Sequence, residues 1–113
     1  EYKPMLGFCL DTQHMFASGY DLINDLDNVV NQVGKVLGFE KVRAVHFNDS
    51  KTDLASNKDR HENLGDGKIG ENAMKSFLNH PKLREIPFIL ETPALDTPEG
   101  AIEQVSILHS WAN

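Results

Sequence analysis

The 113-residue chain is 40% hydrophobic and 25% charged, the balance of one ordinary globular domain or part of one. Its net charge of −6 argues against a broadly basic nucleic-acid binder, although bound divalent ions would bring positive charge that this count omits. The single cysteine, Cys9, excludes an intrachain disulfide and fits a reducing compartment.

In chain order, Met5-Leu6-Gly7-Phe8-Cys9-Leu10 is a short apolar run ending in Asp11, the pattern of a buried parallel strand. Residues 12–20 read as a turn region. A helix is expected over 25–37, where Leu26, Val29, Val30, Val33, Val36 and Leu37 recur at helical spacing and Gly38 suits the stop. Residues 42–47 form the second strand, ending at His46-Phe47. A polar stretch with Gly65, Gly67 and Gly70 follows over 48–70, long for a connection and therefore a candidate functional loop. A short helix over 71–79 stops before Pro81. Residues 86–90 give the third strand, ending in Glu91. The last helix takes Thr97 as its cap and Pro98 at its first position, with Ile102, Val105, Leu108 and Trp111 as the expected apolar stripe. Strand and helix alternate throughout, which implies a parallel sheet with crossover helices. No apolar run approaches the ~20 residues of a membrane span, and no secretory signal is visible. The chain begins at Glu1 without Met, as expected of a processed protein or a piece of a longer one.

Six metal-type side chains fall into four islands: Asp11 with His14, His46, Asp59 with His61, and Glu91. Three islands sit at or just past a strand end, where α/β barrels build their sites. Strand alternation puts Cys9 with Asp11, Ala44 and Val42 with His46, and Ile89 with Glu91 on one face. Phe8, Leu10, Val45, Phe47, Phe88 and Leu90 then take the other face, against helices. Imidazole and carboxylate together suit zinc. A lone Asp at a strand end is more often a cap than a ligand, so the weight rests on the six together. His80 reads as a solvated residue near a helix end, His109 as a surface residue, and Cys9 as a small core residue. Gly65-Asp66-Gly67 lacks the Lys-Ser/Thr of a phosphate loop.

The run Gly7-Phe8-Cys9-Leu10-Asp11-Thr12-Gln13-His14, with Ala17-Ser18-Gly19-Tyr20-Asp21-Leu22, resembles a signature of the endonuclease IV family of apurinic/apyrimidinic endonucleases. His46-Phe47-Asn48-Asp49-Ser50-Lys51 with the segment from Lys58-Asp59-Arg60-His61 to Gly70 resembles a second, and Leu90-Glu91-Thr92-Pro93 a third. Gln13 stands where that family has a small residue or Cys. The resemblance covers essentially the whole chain.

It implies a (β/α)8 TIM barrel of which residues 1–113 are the carboxyl-terminal portion, the last three βα units. It implies a three-zinc centre and metal-assisted hydrolysis of DNA on the 5′ side of an abasic site. Carried over residue by residue, His14, Asp59 and His61 hold one zinc, and Asp11, His46 and Glu91 hold most of a second. Two further His and a bridging Glu come from earlier strands outside this chain. Arg60 is the expected DNA-phosphate contact. The implied partners are double-stranded DNA with abasic sites and the remainder of the barrel, or a second copy by self-association. The expected setting is intracellular, cytoplasmic or nucleoid-associated, with no membrane. This segment alone is expected to bind at most two zincs and to leave abasic DNA uncut. Two rivals stand beside this reading: a metal-dependent sugar isomerase or epimerase on the same barrel, and a non-catalytic barrel fragment.

Overall fold

The computed structural model describes residues 6–113. Strands β1 (Phe8–Asp11), β2 (Val42–His46) and β5 (Phe88–Ile89) form a parallel sheet in the order β1-β2-β5. Helix α1 (Thr12–Ala17) follows β1 directly, α2 (Leu26–Val36) leads to β2, α3 (Glu71–Leu78) precedes β5, and α4 (Pro98–Trp111) ends the chain. The long polar stretch folds a two-residue antiparallel pair, β3 (Asp49–Ser50) with β4 (His61–Glu62). Met5, the expected first residue of β1, lies outside the described residues.

Helices cover one face of the sheet. Val45 and Phe47 are fully buried against Val29 and Val30 of α2 and Met74 and Phe77 of α3. Phe47, Phe77 and Phe88 pack ring against ring, with centroids 5.3–6.3 Å apart. Full burial of such a ring is worth about 1.5–3 kcal/mol, and Phe47 and Phe77 are fully buried while Phe88 is partly buried, so this cluster is a main anchor of the fold. Helix α2 stops where Gly38 takes a φ of 84° and donates its N–H to the Val33 and Gly34 carbonyls. The opposite face is open: Cys9 and Ile89 are exposed, and Ala44 and His46 are only half covered.

Four sequence expectations are corrected. The turn region at 12–20 begins as a helix, because the Asp11 carboxylate caps it by accepting the His14 N–H at 3.0 Å. Strand alternation fails at the start of β1 and β2: a register irregularity between Phe8 and Cys9 leaves Phe8 exposed and Val42 buried. Cys9 is an exposed thiol rather than a core residue, since it lies on the open face. Helix α4 buries Gln104 and Trp111, with Leu108 partly covered, while Ile102 and Val105 face outward. The helix turns this way because Gln104 accepts the buried Leu64 N–H at 2.9 Å, a bond that the hydrophobic pattern does not encode.

Candidate metal centre

The carboxyl ends of the three parallel strands carry three donors. Asp11 ends β1 and pairs in register with His46, which ends β2, while His46 pairs with Ile89 two residues before Glu91. His46 Nδ1 lies 2.7 Å from Glu91 Oε1 and 3.9 Å from Asp11 Oδ2. The remaining donors arrive from outside the sheet. Helix α1 presents His14, and the β3–β4 segment delivers Asp59 and His61. Asp59 Oδ1 lies 2.9 Å from His14 Nε2 and 3.4 Å from His61 Nε2. The hydrogen bond from His14 holds the exposed Asp59 carboxyl below the usual carboxylate range.

All six predicted donors thus meet in one region. Two sets of three have donor atoms within 4.8 Å of one another: Asp11, His14 and His61, and Asp11, His46 and Glu91. Asp59 belongs to neither set, but its carboxylate contacts both imidazoles of the first. Arg60 is exposed and donates from Nη1 to the Asp59 carbonyl at 2.8 Å.

His61 tests whether the donors suit a metal ion. Its Nδ1 lies 3.1 Å from the Glu91 carbonyl, which can only accept, so Nδ1 carries the proton. In the neutral ring Nε2 then presents a lone pair. That atom is buried and lacks a hydrogen-bond partner. It faces Asp11 Oδ2 at 3.5 Å and Asp59 Oδ1 at 3.4 Å. A lone pair aimed at two carboxylate oxygens is unfavourable unless a proton or a metal cation lies between them. Neutral imidazole oriented by a backbone carbonyl, flanked by carboxylates, is the donor chemistry that zinc takes.

The scaffold behind the donors was not visible as such in the sequence. Asp49 is fully buried, and its carboxylate accepts the N–H groups of Ser50, Gly65, Gly67, Ile69 and Gly70 at 2.8–3.3 Å. Burial pushes its pKa up, against the pull of these bonds. The loop must come this close: a Cβ on Gly67 would overlap the Ser50 carbonyl and the Asp49 carboxylate. Gln13, also fully buried, donates from Nε2 to Ser50 Oγ and to the Lys58 carbonyl, next to Asp59. Asn63 Oδ1 accepts the Ala94 N–H at 2.9 Å, tying the end of β4 to the turn after Glu91. The available signal was the polar triplet Asn48-Asp49-Ser50 directly after an apolar strand, upstream of three spaced glycines.

Of the other expectations, His109 is exposed as foreseen. His80 is not solvated: its side chain is 11% exposed. Its Nε2 bonds Asp27 Oδ1 at 3.0 Å, and its Nδ1 accepts from Lys82 N–H. The Cys9 thiol is pushed up, by partial burial first and by the Asp11 and Glu91 charges after it.

A family model described as a xylose isomerase-like TIM barrel matches residues 1–111. A "Probable endonuclease 4" from Akkermansia muciniphila is 51% identical over 100 residues, covering 88% of this chain and 36% of the relative. One from Methanosphaera stadtmanae is 47% identical over 103 residues, covering 91% and 37%. The chain belongs to the xylose isomerase-like TIM-barrel family, in its endonuclease IV branch. The crystal structure of endonuclease IV from Thermus thermophilus superposes with a TM-score of 0.83 at 40% identity, over 91% of this chain and 37% of that one. The chain therefore spans little more than a third of the endonuclease IV proteins it matches. The expected fold holds in its coarser form: the parallel sheet and its helices are part of such a barrel.

Proposed function

We propose that this chain is the carboxyl-terminal portion, the last three βα units, of a zinc-dependent DNA-repair endonuclease that hydrolyses the phosphodiester 5′ to abasic sites. The observation that carries the reading is the convergence of Asp11, His14, His46, Asp59, His61 and Glu91 at the carboxyl ends of parallel strands. In this reading His14, Asp59 and His61 form one complete ligand set, and Asp11, His46 and Glu91 form part of a second. Zinc held there supplies a Lewis acid that polarises phosphoryl oxygens and offsets charge developing in hydrolysis. The residues of this chain orient and charge the site. The Glu91 carbonyl fixes the His61 tautomer so that Nε2 faces inward. One oxygen of Asp59, Oδ1, lies within 3.4 Å of both His14 Nε2 and His61 Nε2. Arg60, exposed and anchored to the Asp59 carbonyl, extends a cation toward a DNA phosphate.

The remaining barrel supplies the missing strands and ligands. The open face, where Cys9 is exposed and Ile89 is 47% exposed, is the surface those strands would cover, or that a second copy would cover in their absence. No helix among the described residues is long and apolar enough to cross a membrane, and an intracellular, DNA-associated setting goes with the proposed substrate. The test is cleavage of a labelled abasic duplex by the native protein. Activity should vanish with a chelator, return with zinc, and be lost in His61→Ala. Activity that persists after complete metal removal contradicts the proposal, and a requirement for magnesium or manganese with a sugar substrate would favour the isomerase reading. The 113-residue chain alone should leave the duplex intact.

A further inference from the structure

One uncharged side chain ties together the open ends of all three parallel strands. Asn48 lies two residues past β2 and is fully buried. Its Oδ1 accepts the Glu91 N–H at 2.8 Å, and its Nδ2 donates to Asp11 Oδ2 at 3.3 Å. The orientation of the amide is forced: a backbone N–H can only donate and an ionised carboxylate can only accept. Its backbone is pinned as well. The Asn48 N–H donates to Thr12 Oγ1 at 2.8 Å, and the same hydroxyl donates its proton to the Asn48 carbonyl at 2.6 Å.

We propose that Asn48 is a positioning residue of the metal centre, holding the Asp11 carboxylate and the Glu91 backbone where both flank His46. The inference rests on the metal-binding reading above. Asp11 Oδ1 is occupied by the His14 N–H, so Oδ2 is the oxygen left to face His46 at 3.9 Å and His61 at 3.5 Å. The last torsion of an Asp side chain is broad, so two opposed hydrogen bonds are needed to set the plane of the carboxylate. His14 N–H supplies one and Asn48 Nδ2 the other. Glu91 follows the two-residue strand β5, and its N–H spends its bond on Asn48 rather than on a sheet neighbour. Asn also does this without charge. A carboxylate at this position would set a third negative group beside Asp11 and Glu91.

The experiment uses the native protein with zinc and cobalt(II) as probes. Asn48→Asp keeps the shape and the acceptor for Glu91 N–H, but places a carboxylate oxygen against Asp11 Oδ2. Zinc affinity, measured by competition with a chromophoric chelator, should fall about 10–100-fold. The cobalt d–d absorption should change in position and intensity. Asn48→Ser removes both side-chain bonds without adding charge and should move both readouts in the same direction; it also serves if Asn48→Asp does not fold. Loss of thermal stability with unchanged metal affinity and an unchanged cobalt spectrum would make Asn48 merely structural and overturn the proposal. So would failure of both variants to fold in the presence and absence of zinc. His46→Ala separates the two levels. If it weakens metal binding while both Asn48 variants do not, the positioning role fails alone. If His46→Ala and Glu91→Gln leave metal binding unchanged, the metal reading fails and this inference with it.

Discussion

Asp11, His46 and Glu91 sit on or just past strands that pair in a parallel ladder, while Asp59 and His61 come from a segment whose only sheet structure is a two-residue pair. The first three inherit their positions from the sheet and from Asn48. The other two depend on a carboxylate, Asp49, that gathers five N–H groups from the loop. Strand ends fix direction cheaply, because neighbouring rungs of the ladder set it. A long loop has no such ladder and needs buried polar contacts to remain in one conformation. The two halves should therefore fail differently: the loop half by losing its fold, the strand half by losing its metal.

The largest effect is expected at Asp49. Asp49→Ala leaves buried N–H groups of the glycine-rich loop without an acceptor and should cost about 3–5 kcal/mol in denaturant unfolding. A loss below about 1 kcal/mol would mean that the loop is held by something else. Next comes His46→Ala on the strand half. It should cost at least about 100-fold in zinc affinity, roughly 2.7 kcal/mol, yet leave the metal-free melting temperature nearly unchanged. A His46 variant that melts early would blur the comparison, since the strand half would then share the fragility of the loop half.

Gln104 offers a sharper cut. It reaches from α4 to the Leu64 N–H in the loop, so Gln104→Leu should cost about 1–3 kcal/mol and speed proteolysis within residues 51–70 before the helices. Thr97→Ala removes the α4 cap bond to Gly100 N–H and should cost about 1 kcal/mol without changing loop proteolysis. The smallest expected effect is on DNA binding alone. Arg60→Ala should lower the slope of log affinity against log salt by about 1 and leave stability and metal content as they were.

The two halves also differed in how far the sequence revealed them. The strand half was legible because a short apolar run ending in Asp or His carries its own direction. The three parallel strands and the helices α2, α3 and α4 were all found in the expected order. The loop half was legible only as donor residues. Asp49 and Asn48 read as ordinary polar loop residues, because nothing local says that a carboxylate will collect N–H groups up to 21 residues downstream. Helix α1 was missed for a related reason. Its cap is Asp11, a residue already assigned to the donor cluster, and the two roles use different oxygens of one carboxylate. On α4 the apolar spacing pointed to Ile102 and Val105, but the buried bond of Gln104 turned the helix instead. At Phe8 and Val42 alternation failed because one register irregularity is enough to exchange faces.

The central claim is that these six side chains hold zinc. Crystals of the native protein, with anomalous diffraction collected on both sides of the zinc absorption edge, test it most directly. The account predicts one peak bonded to His14, Asp59 and His61 and a second bonded to Asp11, His46 and Glu91, both absent below the edge. A map from zinc-replete protein with no anomalous peak within bonding distance of these residues, and with His61 Nε2 bonded to a carboxylate through a proton, would contradict it.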